Sequence, residues 1–238
     1  MEKGNAGRFI DAFNRIDAQL RALYGRSGAS FSETVTRCAR LNSVVRRYED
    51  DLIEYARLRN AIVHQSRGEI IAEPSDGATE EICRIAELLC SPPKIGERIP
   101  EKKICSIGAD MTLRQTVRLI SETGHSSLPV YGGGALMGII NSRRIVRALG
   151  AAIRAGGNAD RFLSETKAGD ILDGSDTERY YTFLSREDSL TSVPDAFEKN
   201  RKLLAVCVTE NGRPDERIVC FVTPADLSEI NRILENYR

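Results

Sequence analysis

Through residues 5–90 apolar positions recur at every third or fourth place, the period of a helix with one buried face. Phe9, Phe13, Ile16, Leu20 and Leu23 mark such a stripe, ended near Gly25-Arg26-Ser27-Gly28. Ser30 or Ser32 suits the N-cap of a second helix with Val35, Cys38 and Leu41 inward. Asn42-Ser43 reads as a break, after which a longer third helix carries Tyr48, Leu52, Tyr55 and Ile62 on one face and ends after His64. The stretch from Gly68 to Pro74 is extended, and Ser75 or Asp76 caps a fourth helix that buries Ile82, Ile85, Ala86 and Leu89. Four helices on short joints predict a small bundle over 1–90.

Residues 91–103 carry three prolines and many charges, which predicts an extended, partly stiff linker. After Ile104 the period changes. A helix over 113–123 is followed by the strand 127–131, a Gly132-Gly133-Gly134 turn, the strand 136–140, and a helix through Ile145, Val146 and Leu149. The same order returns. A strand at 180–184 precedes a helix holding Val193, Pro194 and Phe197, then come strands at 203–208 and 218–222 about an Asn211-Gly212 turn. A last helix starts at Pro224 and runs through Leu227, Ile230 and Leu234. The pattern is an internal duplication of a strand–helix–strand–strand–helix unit, with copies at about 104–155 and 165–238, and the fold class is α+β.

Composition narrows the setting more than the function. The 34 basic and 34 acidic residues cancel, so nucleic-acid binding would need a local patch rather than bulk charge. No apolar run reaches membrane-spanning length, and Met1 to Arg8 carry charge with no apolar run behind them, so no membrane partner and no secretory signal are expected. Six scattered cysteines without a CxxC pair point to reduced thiols and a cytoplasmic location. No metal site is expected, because the two histidines lie far from any paired thiols.

Ser126-Ser127-Leu128-Pro129-Val130-Tyr131 with Leu136-Met137-Gly138-Ile139-Ile140, and Leu204-Ala205-Val206-Cys207-Val208 with Val219-Cys220-Phe221-Val222-Thr223-Pro224-Ala225-Asp226-Leu227, resemble a tandem pair of cystathionine-beta-synthase (CBS) motifs, a Bateman module. The resemblance covers 104–238. It implies a disc whose clefts take an adenosyl ligand: AMP, ADP, ATP or S-adenosylmethionine. Its Thr-x-x-Asp element falls on Thr223 and Asp226, and its strand residues on Thr182 and Phe183. Elementary chemistry agrees: Thr223 can cap the helix at Pro224, and a carboxylate at Asp226 can accept ribose hydroxyl protons. Thr-x-x-Asp is equally an ordinary helix start. The first copy departs, with Asn141 and Arg144 at the matching places, which implies a site that is degenerate or phosphate-selective. One adenosyl site per chain is the expectation. His125 reads as a structural or surface residue.

Arg59-Asn60-x-x-x-His64 near the end of the third helix, in a four-helix order, resembles the HEPN (higher eukaryotes and prokaryotes nucleotide-binding) family. Many HEPN proteins are metal-independent ribonucleases that act as dimers, often in toxin–antitoxin systems. The resemblance implies His64 as general acid or base, Arg59 stabilising phosphate charge, and Asn60 orienting phosphate or His64. Asn60 and His64 share a helix face, whereas Arg59 is turned more than a right angle from His64. Arg59 also continues the apolar stripe, which calls for a carboxylate partner, a cleft or an interface. Two functions follow. One is a nucleotide-sensing homodimer whose helical domain cuts RNA under nucleotide control, with a nucleotidyltransferase-like antitoxin as a further partner. The alternative is a non-catalytic ligand-binding regulator whose helical domain dimerises or docks.

Overall fold

The computed structural model describes residues 4–24, 28–63, 72–101, 103–172 and 179–237. His64 lies outside the described residues, as do 25–27 of the first expected turn and 68–71 of the expected extended stretch. The chain forms two compact units. One comprises Met1–Pro93, Ser189–Glu198 and Glu229–Arg238, and the other Lys94–Asp188 and Lys199–Ser228.

The first unit opens with α1 (Asn5–Tyr24), which buries Ala6, Phe9, Phe13, Ile16 and Leu20 along one face. Leu23, expected on that face, is exposed in the last turn. Ser30 starts α2 (Phe31–Cys38) by accepting the Glu33 N–H at 3.2 Å, while the Glu33 carboxylate accepts the Ser30 N–H at 2.8 Å. Leu41 lies past the end of α2 and is exposed instead of inward, because the helix stripe stops at Cys38. The expected long third helix is two helices. Asn42 Oδ1 accepts the Val45 N–H at 3.0 Å to start α3 (Ser43–Arg47), and Tyr48, at φ −108° and ψ 22°, leaves helical geometry before α4 (Glu49–Ile62). Three acidic residues in the first turn of α4 suit its positive end. Ser75 caps α5 (Asp76–Cys90). Phe9 meets Tyr55 edge to face at 5.6 Å, and the Tyr55 hydroxyl donates to Glu81 at 3.0 Å.

The second unit begins inside the expected linker. There α6 (Ile95–Arg98) forms in place of extended chain, because Ile95 finds a buried seat and its N–H donates to Asp188 O at 2.9 Å. The elements continue as β1 (Ile107–Gly108), α7 (Leu113–Thr123), β2 (Ser127–Gly132), β3 (Ala135–Asn141), α8 (Ser142–Arg154), α9 (Ala159–Glu165), β4 (Tyr181–Ser185), α10 (Ser192–Lys199), β5 (Ala205–Thr209), β6 (Cys220–Val222) and α11 (Leu227–Glu235). Two three-stranded sheets, ordered β1-β2-β3 and β4-β5-β6, show the duplication in their topology. In each the first pair is parallel and the second antiparallel, with Ile107 opposite Val130 in one and Thr182 opposite Val206 in the other. Gly133 and Gly134, at φ 59° and 85°, make the tight β2–β3 turn that a side chain would strain.

Neighbouring residues of β3 serve opposite faces of its sheet. Ile140 packs with Ile107, Leu113, Leu128, Val130 and Ile145. Ile139 packs with Tyr181, Ala205, Cys207 and Ile218 of the second copy. β5 is buried throughout, as expected of a central strand.

Two further helices complete the first unit, which takes in nearly all of α10 and most of α11. In that unit Asp195 of α10 accepts the Ser43 N–H at 2.7 Å. Burial pushes the Asp195 carboxyl above its ordinary range, a shift the Ser43 hydrogen bond opposes and nearby Glu198 adds to. A raised carboxyl favours the fold when protonated, so the stabilisation is present below the unfolded value of about 3.9 and lost as pH rises through the folded one. Asp195→Asn, which keeps an acceptor for Ser43, therefore raises the melting temperature at neutral pH, and the gain vanishes in melts below about pH 4. Ile139→Ala, at a fully buried position shared by both copies, lowers urea-unfolding stability by about 2–5 kcal/mol.

Candidate functional site

Where β6 ends the chain turns sharply. Thr223 keeps extended geometry at φ −112° and ψ 170°, and Pro224–Asp226 forms one 3-10 turn with proline in first position. The turn is clasped by Asp226. Its Oδ2 accepts the Thr223 N–H at 2.7 Å and the Thr223 hydroxyl at 2.9 Å, while its own N–H donates to Thr223 O at 3.0 Å. Oδ1 has no hydrogen-bond partner among the described residues.

This clasp stands at the rim of a cleft of about 260 Å³. Lys103, Ile104 and Cys105 before β1 form one wall, Gly124 to Ser127 a second, and Phe221, Thr223, Ala225 and Asp226 the third. Gly124 ends α7 at φ 72°, a left-handed turn that presents His125 and Ser126 to the cleft. The cleft thus offers a carboxylate oxygen, an ammonium, an imidazole and two serine hydroxyls around the apolar Ile104 and Phe221. A diol, an anion and a flat apolar ring each find a complementary group there.

Thr223 and Asp226 are brought together as the spacing implied. Thr182 and Phe183 are not among the lining residues, because β5 separates their strand β4 from β6. Phe183 instead meets Tyr181 edge to face at 5.8 Å and packs on the inter-sheet cluster. His125 lies on the surface, one of the two expected placements, and also lines the cleft. Sequence reasoning also missed Lys103, Cys105, Ser126 and Ser127, which reach the site from about a hundred residues upstream.

The corresponding place in the first copy holds different chemistry. Asn141 Oδ1 accepts the Arg144 N–H at 2.8 Å and starts α8. The Arg144 guanidinium donates to Ile171 O at 3.0 Å and Ile139 O at 3.2 Å, and lies 5.2 Å over the Tyr180 ring.

In the helical unit Arg59 and Asn60 occupy the last turn of α4, the first half-buried and the second exposed. The Arg59 guanidinium donates to Asn60 Oδ1 at 3.3 Å, a neutral acceptor rather than the carboxylate that was one of the three expected settings. Their juxtaposition with His64 lies outside the described residues. No helix among the described residues is long and apolar enough to cross a membrane.

Residues 95–151 match the family model of the CBS domain. The match takes in α6, β1, α7, β2 and β3 and most of α8, so the matched segment begins inside the stretch expected to be linker. A 45-residue segment is 40% identical to an uncharacterised protein of Methanocaldococcus jannaschii, covering 19% of this chain and only 17% of that protein. Among solved structures, the CBS domain pair of protein MJ0100 in complex with 5′-methylthioadenosine and S-adenosyl-L-methionine is similar at 17% identity and a TM-score of 0.43, over 59% of this chain and 97% of that one. CBSX2 in complex with AMP is similar at 13% identity and a TM-score of 0.44, over 60% and 98%.

Proposed function

We propose that the cleft beside Thr223 and Asp226 binds one adenosyl ligand per chain (AMP, ADP, ATP or S-adenosylmethionine) and that the protein senses that ligand. The observation that carries this reading is Asp226 Oδ1, unengaged among the described residues, at the rim of a nucleoside-sized cleft, where it suits a ribose diol. Phe221 and Ile104 suit a purine face, and Lys103 suits a phosphate. Titration calorimetry with AMP, ATP and S-adenosylmethionine tests it. Wild type is expected to bind at least one of them, and Asp226→Ala to weaken that binding by roughly 10- to 100-fold, the worth of a hydrogen bond to a charged group. Absence of heat and of any thermal shift with all three at millimolar concentration would overturn the reading.

For the helical unit the reading is a HEPN-like, metal-independent ribonuclease, formed as a homodimer and gated by the nucleotide. Arg59 and Asn60 together in the last turn of one helix support it, as the charge-stabilising and orienting members of a site completed by His64. RNA cleavage that persists in EDTA, disappears in a folded His64→Ala variant and changes with AMP or ATP is the expected result. No cleavage under any condition would leave the non-catalytic alternative, in which this unit dimerises, or docks on a partner such as a nucleotidyltransferase-like antitoxin.

A further inference from the structure

The duplication allows the two copies to be superposed residue by residue. Asn141 and Thr223 each follow the last strand of their copy and precede its last helix, which places Arg144 against Asp226 and Ile139 against Phe221. Leu128 stands opposite Ile140 and Val206 opposite Val222, so Val130 matches Val208, their parallel partners Ile107 and Leu184 match, and Tyr180 falls against Lys103. Phe221, Lys103 and Asp226 all line the second-copy cleft. Their counterparts are the groups that the Arg144 side chain joins: its guanidinium donates to Ile139 O at 3.2 Å and stacks 5.2 Å over Tyr180. The guanidinium also donates to Ile171 O at 3.0 Å. Arg179 stacks on the same Tyr180 ring, also at 5.2 Å.

We propose that Arg144 is a built-in occupant of the first-copy cleft. Its planar guanidinium stands where a ligand would rest, satisfies the backbone acceptor there and covers the aromatic wall. This device makes the module a one-ligand sensor. A guanidinium suits the task because it stays charged at every physiological pH and bonds in its own plane while stacking through its face. Lysine, a point donor, would do neither in this geometry.

The proposal rests on the adenosyl-ligand reading of the second cleft, and calorimetric stoichiometry with ATP and AMP separates the two. Full-length wild type, Arg144→Ala and Arg144→Asp are compared, with melts to confirm the fold. Arg144→Asp reinstates the second copy's acid in a first helical turn, where a carboxylate is favourable. The expected stoichiometry is one nucleotide per chain for wild type and two for each variant. It falls back to one when Asp226→Ala is added to Arg144→Ala. Folded variants that still bind only one would overturn the proposal, as would loss of the fold in both variants, since Arg144 would then be a structural strut. A wild type that binds nothing overturns the reading of the second cleft instead. In that case, variants that gain one site still support the occupant, and variants that gain none overturn it.

Discussion

The cluster of Ile139, Tyr181, Ala205, Cys207 and Ile218 joins two sheets that could not stand apart, and the cleft exists because of that union. Each sheet has three strands, and β1 contributes only two residues and β6 three. Sheets this small cannot cover both faces with their own helices. The first copy uses one face for Ile140 and its helix-side neighbours, which leaves Ile139 and the half-buried Tyr131 and Leu136 to be covered by the other copy. Once the sheets meet, the chain before β1 and the turn before β2 lie beside the end of β6. The Asp226 clasp then completes the third wall.

Local signals were legible in the chain wherever a feature is settled within a few residues. Ser30 and Glu33 specify their own helix start, and Gly133-Gly134 specify a turn. Features that depend on distant neighbours were not legible. Tyr48 belongs to the apolar stripe by spacing, yet Asn42 starts one helix and Tyr48 begins another, so the stripe is shared by two. Ile95 sits among prolines and charges and reads as linker until its buried seat near Asp188 is known. At the site, the Thr-x-x-Asp spacing located one wall because both partners lie in one turn. His125, Lys103 and Cys105 escaped because a cleft between duplicated units draws its other walls from another part of the chain.

The two copies show how one residue changes the use of a shared scaffold. Asn141 and Thr223 begin the final helix of their copies in different ways: the first accepts from the helix with its own side chain, the second is held by the acid three residues on. Because Asn141 completes its cap alone, position 144 is released from capping and its side chain is available for other work. At position 226 the acid holds the turn through Oδ2.

The place of Asp226 in the chain has a second consequence. The helical unit resumes at Glu229, three residues beyond the clasp, with α11 as the element that spans the change. The backbone that leaves the cleft therefore enters the helical unit inside a single helix, over less than one helical turn.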